Sequence, residues 1–125
     1  MSEFKSVFAR LRAILRKHAG SYRVKEDEPD SYWVETGVHP ERKMRLAVAG
    51  VRIGKAYVSF HLMPVYGCPK LLDGASASLM ARMQGKSCFS FKAVDDALFD
   101  ELERLTARSF AAFRKAGYVG EDATK

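Results

Sequence analysis

Two cysteines in 125 residues are too few for a disulfide framework, so Cys68 and Cys88 point to a reducing cytoplasm, with a single bridge between them left open. No apolar run approaches the roughly 20 residues that span a bilayer. The N-terminus, "MSEFKSVFARLRAILRK", breaks its apolar positions with charge and so lacks the h-region of a secretory signal. There is no CxxC, no HxxxH and no carboxylate–histidine pair at ligand spacing. His61, Cys68 and Cys88, with His18 or His39, therefore make no metal motif, and the thiols read as small, half-buried side chains. No nucleophile elbow occurs, nor any RNP, KH or helix-turn-helix signature. "GKS" at 85–87 resembles the tail of a phosphate-binding loop, but the second glycine it needs is Met80, and a strand follows where a helix should. Nucleotide hydrolysis is thereby disfavoured, and Lys86 reads as a solvated turn lysine.

What is present suits one folded domain over residues 1–125, with 119–125 as a flexible tail. Hydrophobic residues make up 47% and charged residues 29%, unlike a disordered chain. The formal charge of +6 is concentrated at the start. Residues 1–25 hold seven bases against Glu3, and the remainder is balanced at fourteen of each sign.

Phe4, Val7, Phe8, Leu11, Ile14, Leu15 and His18 follow helical spacing and predict an amphipathic helix over 3–18, capped by Ser2 and ended by Gly20. Its outer face carries Lys5, Arg12 and Arg16. A strand-rich middle follows: a short strand at 21–25, an acidic turn "EDEPD", a strand at 31–37 and a turn "VHPER". Two further strands are expected over 43–51 and 55–63, joined at Arg52, Ile53 and Gly54. In the first, Met44, Leu46 and Val48 alternate with Arg45, Ala47 and Ala49. Prolines and glycines from 64 to 74 forbid a long regular element. A short helix closed by Gly85, a strand at 87–91 and a long helix follow. That helix is capped by Asp95, with Val94 and Phe99 as a staple, acids in its first half, bases in its second and Gly117 at its end. The expected fold class is α+β: an antiparallel sheet of four to five strands, with an N-terminal and a C-terminal amphipathic helix packed on one face.

One strand raises the functional question. In "GKAYVSFHLMPVY", Val58, Phe60 and Leu62 alternate with Tyr57, Ser59 and His61. A phenol, a hydroxyl and an imidazole in a row either line a ligand pocket or face water. Met63, Tyr66, Ser90 and Lys92, with Trp33 or Tyr32 beside them, extend the row, and the 64–69 loop is placed to fold over it. The candidate ligand-binding residues are Tyr57, Ser59, His61, Tyr66 and Lys92. No catalytic residue is assigned, because Cα atoms two apart on a strand lie about 6.5–7 Å from each other, long for direct Ser59–His61 proton transfer.

The same stretch, with its Pro- and Gly-containing loop, the short helix, "GKSCFSFK" and "DDALFDELERL", resembles the YdhG-like family of small bacterial domains of unknown function. The resemblance covers about 54–117 and is best at the two glycine-lysine strand starts. It implies an α+β fold with terminal helices around an antiparallel sheet. One branch of the family is linked to iron delivery in the manner of frataxin, through an acidic ridge. Here the first helix is basic, so no iron-binding residues are carried over. The leading expectation is a non-enzymatic module for a small organic or anionic ligand, without cofactor or membrane. The rivals are nucleic acid or an acidic protein bound through the basic first helix, and an enzyme using His61. Oligomeric state is not legible.

Overall fold

The first apolar stripe forms helix α1, Ser2–Ala19, in a computed structural model that describes residues 2–20, 22–38 and 43–118, Ser2 by its backbone alone. Val7, Phe8, Leu11, Ile14, Leu15 and Ala19 are buried along it. Gly20 ends the helix at φ +57°, a conformation open to glycine at little cost. The last carbonyls of α1 are not left bare: Arg114 Nη2 donates to His18 O at 3.1 Å and Ala19 O at 3.4 Å.

Five strands follow: β1 Arg23–Glu28, β2 Ser31–Glu35, β3 Ala47–Ile53, β4 Val58–Leu62 and β5 Cys88–Phe91. They pair antiparallel in chain order. Between β4 and β5 the chain makes helix α2 (Met63–Gly67), a 3-10 turn (Pro69–Leu72) and helix α3 (Ala77–Met80), all short, as the prolines and glycines require. Helix α4, Asp96–Lys115, closes the fold.

One sheet face supplies the core. Val34, Val51, Val58, Phe60, Leu62, Phe89 and Phe91 are buried with the α1 stripe and with Phe99, Leu102, Leu105 and Phe110 of α4. Each such side chain contributes about 1.5–3 kcal/mol by leaving water. α1 lies against β3 and β4, α4 lies beside α1, and Phe91 meets Phe99 edge to face at 5.1 Å. The α+β architecture, with its terminal helices and antiparallel sheet, is as the periodicity indicated.

α4 has both expected ends. Asp95 Oδ1 accepts from Leu98 N at 3.2 Å. At the other end Gly117, φ +98°, donates to Arg114 O, while Tyr118 N donates to Phe113 O and the Phe113 and Tyr118 rings meet at 4.8 Å.

Three sequence expectations are corrected. "EDEPD" is not a turn: β1 runs through Glu26, Asp27 and Glu28, and only Pro29 and Asp30 turn. β1 is exposed at all six positions, so no hydrophobic alternation marks it; as an edge strand it carries charge instead. The third strand starts at Ala47, not 43, and its hairpin closes at Gly54 and Tyr57 (Gly54 N to Tyr57 O, 2.9 Å) rather than over 52–54. Its expected alternation fails too, because Met44 is exposed whereas Val48 and Ala49 are both buried. The register shifts between Val34 and Glu35, which rotates the strand start relative to its neighbour. The Ser2 side-chain cap, most of the "VHPER" turn (39–42) and the tail at 119–125 lie outside the described residues.

Candidate functional site

The register turns the second sheet face into a grid. Glu26, Trp33, Gly50, His61 and Cys88 are successive neighbours across β1 to β5. Glu28, Ser31, Arg52, Ser59 and Ser90 form the next row. Phe60 faces the core and is fully buried, so Ser59 and His61 emerge on the opposite side, half-buried.

Gly50 explains how this face is built. A Cβ there would stand 2.1 Å from Trp33 Cδ2, so the β2 indole occupies the room that a side chain on β3 would fill. That lets Trp33 reach across β3 and stack on His61 of β4, centroids 5.0 Å apart and planes at 29°. Glycine inside the strand "AVAGVRI" is the one sequence signal for such a close approach. Tyr32, the alternative aromatic, points into the core.

His61 Nε2 lies 3.1 Å from Ser59 Oγ. The Cα spacing of the strand therefore does not keep the pair apart, because the imidazole leans along the strand toward its neighbour. Ser59 Oγ also lies 3.5 Å from Arg52 O. Burial, and secondarily the Arg52 charge, hold the His61 pKa below the usual histidine value, so the ring is neutral near pH 7. Among the described residues no carboxylate hydrogen-bonds this imidazole to orient it as a base. Cys88, next to His61 in register, has its thiol pKa pushed up by burial, the reverse of what an activated thiolate needs. It and Cys68 are free thiols; no bridge joins them.

Two broad depressions adjoin on this face and share Arg52 and His61. One, about 680 Å³, is bounded by Trp33, Ser31, Lys25 and the acidic side chains of Glu26, Glu28 and Asp30. The other, about 690 Å³, holds Arg52, Lys55, Tyr57, Ser59, His61 and Cys88 and has no carboxylate on its walls. Both are lined by strand and turn residues alone. The β1 side thus carries three carboxylates beside Lys25, and the β3–β4 hairpin carries Arg52 and Lys55 without a carboxylate, with the Trp33–His61 stack at the boundary.

The five candidate residues fall in three places. Tyr57, Ser59 and His61 share the hairpin depression. Tyr66 sits on α2 beside Pro69, Leu72 and Met83, with Lys86 Nζ 5.8 Å from its ring centre. Lys92 lines a separate hollow with Arg82 and Asp95. The 64–69 loop does not fold over the row: Pro64 and Val65 are buried and α2 packs on α4 and β3. Of the two aromatics expected beside the row, Trp33 is the one on this face, and Gly50, Arg52 and Lys55 are the members that the strand pattern alone did not assign. Among the described residues, no three His, Cys, Asp or Glu side chains gather into a metal-sized group. No helix there is long and apolar enough to cross a membrane.

The bases of α1 are partly engaged within the molecule. Arg10 pairs with Asp96 at 2.8 Å, Arg16 with Asp27 at 3.1 Å and Lys17 with Glu103 at 2.7 Å. Arg12 lies over the Phe8 ring. Comparison with protein-family models, with characterised proteins and with solved structures finds no match to this chain.

Proposed function

We propose that this chain is a cytoplasmic, non-enzymatic binding domain of the YdhG-like bacterial type, which holds a small organic or anionic ligand against the open face of its sheet. The observation that carries this reading is the Trp33–His61 stack seated on Gly50, beside a depression walled by Tyr57, Ser59 and Arg52. An apolar body with a few convergent polar tips, in a hollow of several hundred Å³, is the usual make-up of a small-ligand site. The test is a small-molecule screen read through Trp33, the single tryptophan of the chain. Compounds that shift its emission are expected, and His61→Ala should weaken them by about tenfold or more. A screen in which no compound moves Trp33 contradicts the reading.

The 3.1 Å contact between His61 and Ser59 favours a second reading, a hydrolase with His61 as base for the serine. It predicts a turnover abolished by Ser59→Ala with ligand affinity retained. Binding through α1 is supported less, since Arg10, Arg16 and Lys17 already face carboxylates.

A further inference from the structure

We propose, resting on the sheet-face reading above, that the ligand has mononucleotide chemistry: a planar heteroaromatic ring joined to a single phosphate. The hairpin depression is the anion end. Arg52 and Lys55 are its two cations, Tyr57 and Ser59 its hydroxyls, and no carboxylate on its walls competes for them. Arg52 and Lys55 make no ion pair among the described residues, in contrast to Arg10, Arg16 and Lys17. A guanidinium, an ammonium and two hydroxyls give the several charge-assisted bonds a phosphate needs.

The ring end is the Trp33–His61 stack. His61 and Arg52 line both depressions, so a ligand with its phosphate at the hairpin extends its other half toward Trp33. Trp33 and His61 are both only half-buried, which leaves ring surface against which a heterocycle stacks. Beyond the stack, Glu28 and Asp30, with Glu26 whose Oε1 already accepts from Ser31 Oγ, supply acceptors for ring or exocyclic N–H donors, and Lys25 shares that rim. That acidic rim is what selects a heterocycle with amino groups over a plain arene. It also argues against a nucleic-acid strand, whose neighbouring phosphates would run past three carboxylates.

The experiment titrates the full chain with adenosine monophosphate, adenosine, ribose 5-phosphate and a short oligoadenylate, following Trp33 emission. Adenosine monophosphate should bind about tenfold or more tightly than either fragment. The double variant Arg52→Gln/Lys55→Gln should erase its advantage over adenosine while leaving the melting temperature unchanged. Both side chains are exposed on a hairpin, so folding is not at risk. Equal affinity for adenosine and its phosphate overturns the anion assignment. Tighter binding of the oligoadenylate overturns the mononucleotide class. If none of the four moves Trp33 while other screened compounds do, this inference fails and the sheet-face reading stands; if no compound of any kind does, both fail.

Discussion

At position 50 a methyl group has nowhere to go. With Trp33 Cδ2, Cε2 and Cε3 at 2.1–2.5 Å from the place of a Cβ, Gly50→Ala must lift the indole from β3 or shift the strand. Overpacking of this kind costs about 1–3 kcal/mol. The expected result is a red-shifted Trp33 emission, a lowered melting temperature and loss of stacking on His61. An unchanged emission maximum would contradict the packing described. His61 gives a second prediction at this scale. Its pKa is lowered from the ordinary 6.5 by burial and by Arg52, so between that depressed value and 6.5 the unfolded chain binds the proton that the folded chain refuses. Stability therefore rises with pH through this window and is lost on acidification below 6.5. His61→Gln should flatten that limb of a stability–pH curve, and an imidazole titrating at or above 6.5 by NMR would refute the shift. The hydroxyl and imidazole row was legible from alternation, because Val58, Phe60 and Leu62 are so plainly core residues. The Ser59–His61 contact was not, since Cα spacing says little about where a leaning side chain ends.

Elements were legible in proportion to how much of each is buried on one side. α1 and α4 bury a continuous stripe, and their limits follow from Gly20, Asp95 and Gly117. β4 and β5 alternate cleanly for the same reason. β1 buries neither face, so its acids read as a turn until pairing with β2 shows otherwise. The start of β3 departs from the expected position because the register shift at Val34 and Glu35 breaks period two at that point. The Trp33–His61 stack spans three strands, and such a meeting is visible only once register is known. For α4 the cap is a separable contribution: Asp95→Ala should cost about 1 kcal/mol, within a range of roughly 0.5–2. Chemical denaturation should show a lower midpoint with an unchanged slope. A change below about 0.2 kcal/mol would mean that Asp95 does not stabilise the helix end.

On the scale of the molecule, the division of labour between the two sheet faces organises the account. One face is covered by helices and carries the core; the other holds an aromatic stack between an acidic rim and a basic hairpin. The +6 charge, so conspicuous near the N-terminus, is partly tied down: α1 bases meet Asp27 on the edge strand and Asp96 and Glu103 on α4. These exposed pairs orient α1 more than they stabilise it. Charge reversal at Arg12 and Arg16 should accordingly leave ligand binding on the sheet intact. The most direct measurement is a backbone amide NMR titration of the full chain with a ligand taken from the tryptophan screen. The perturbed amides should cluster on Trp33, Gly50, Arg52, Lys55, Ser59 and His61, with α1 silent. Perturbations centred on Lys5, Arg12 and Arg16, or on the hollow beside Tyr66, would contradict it.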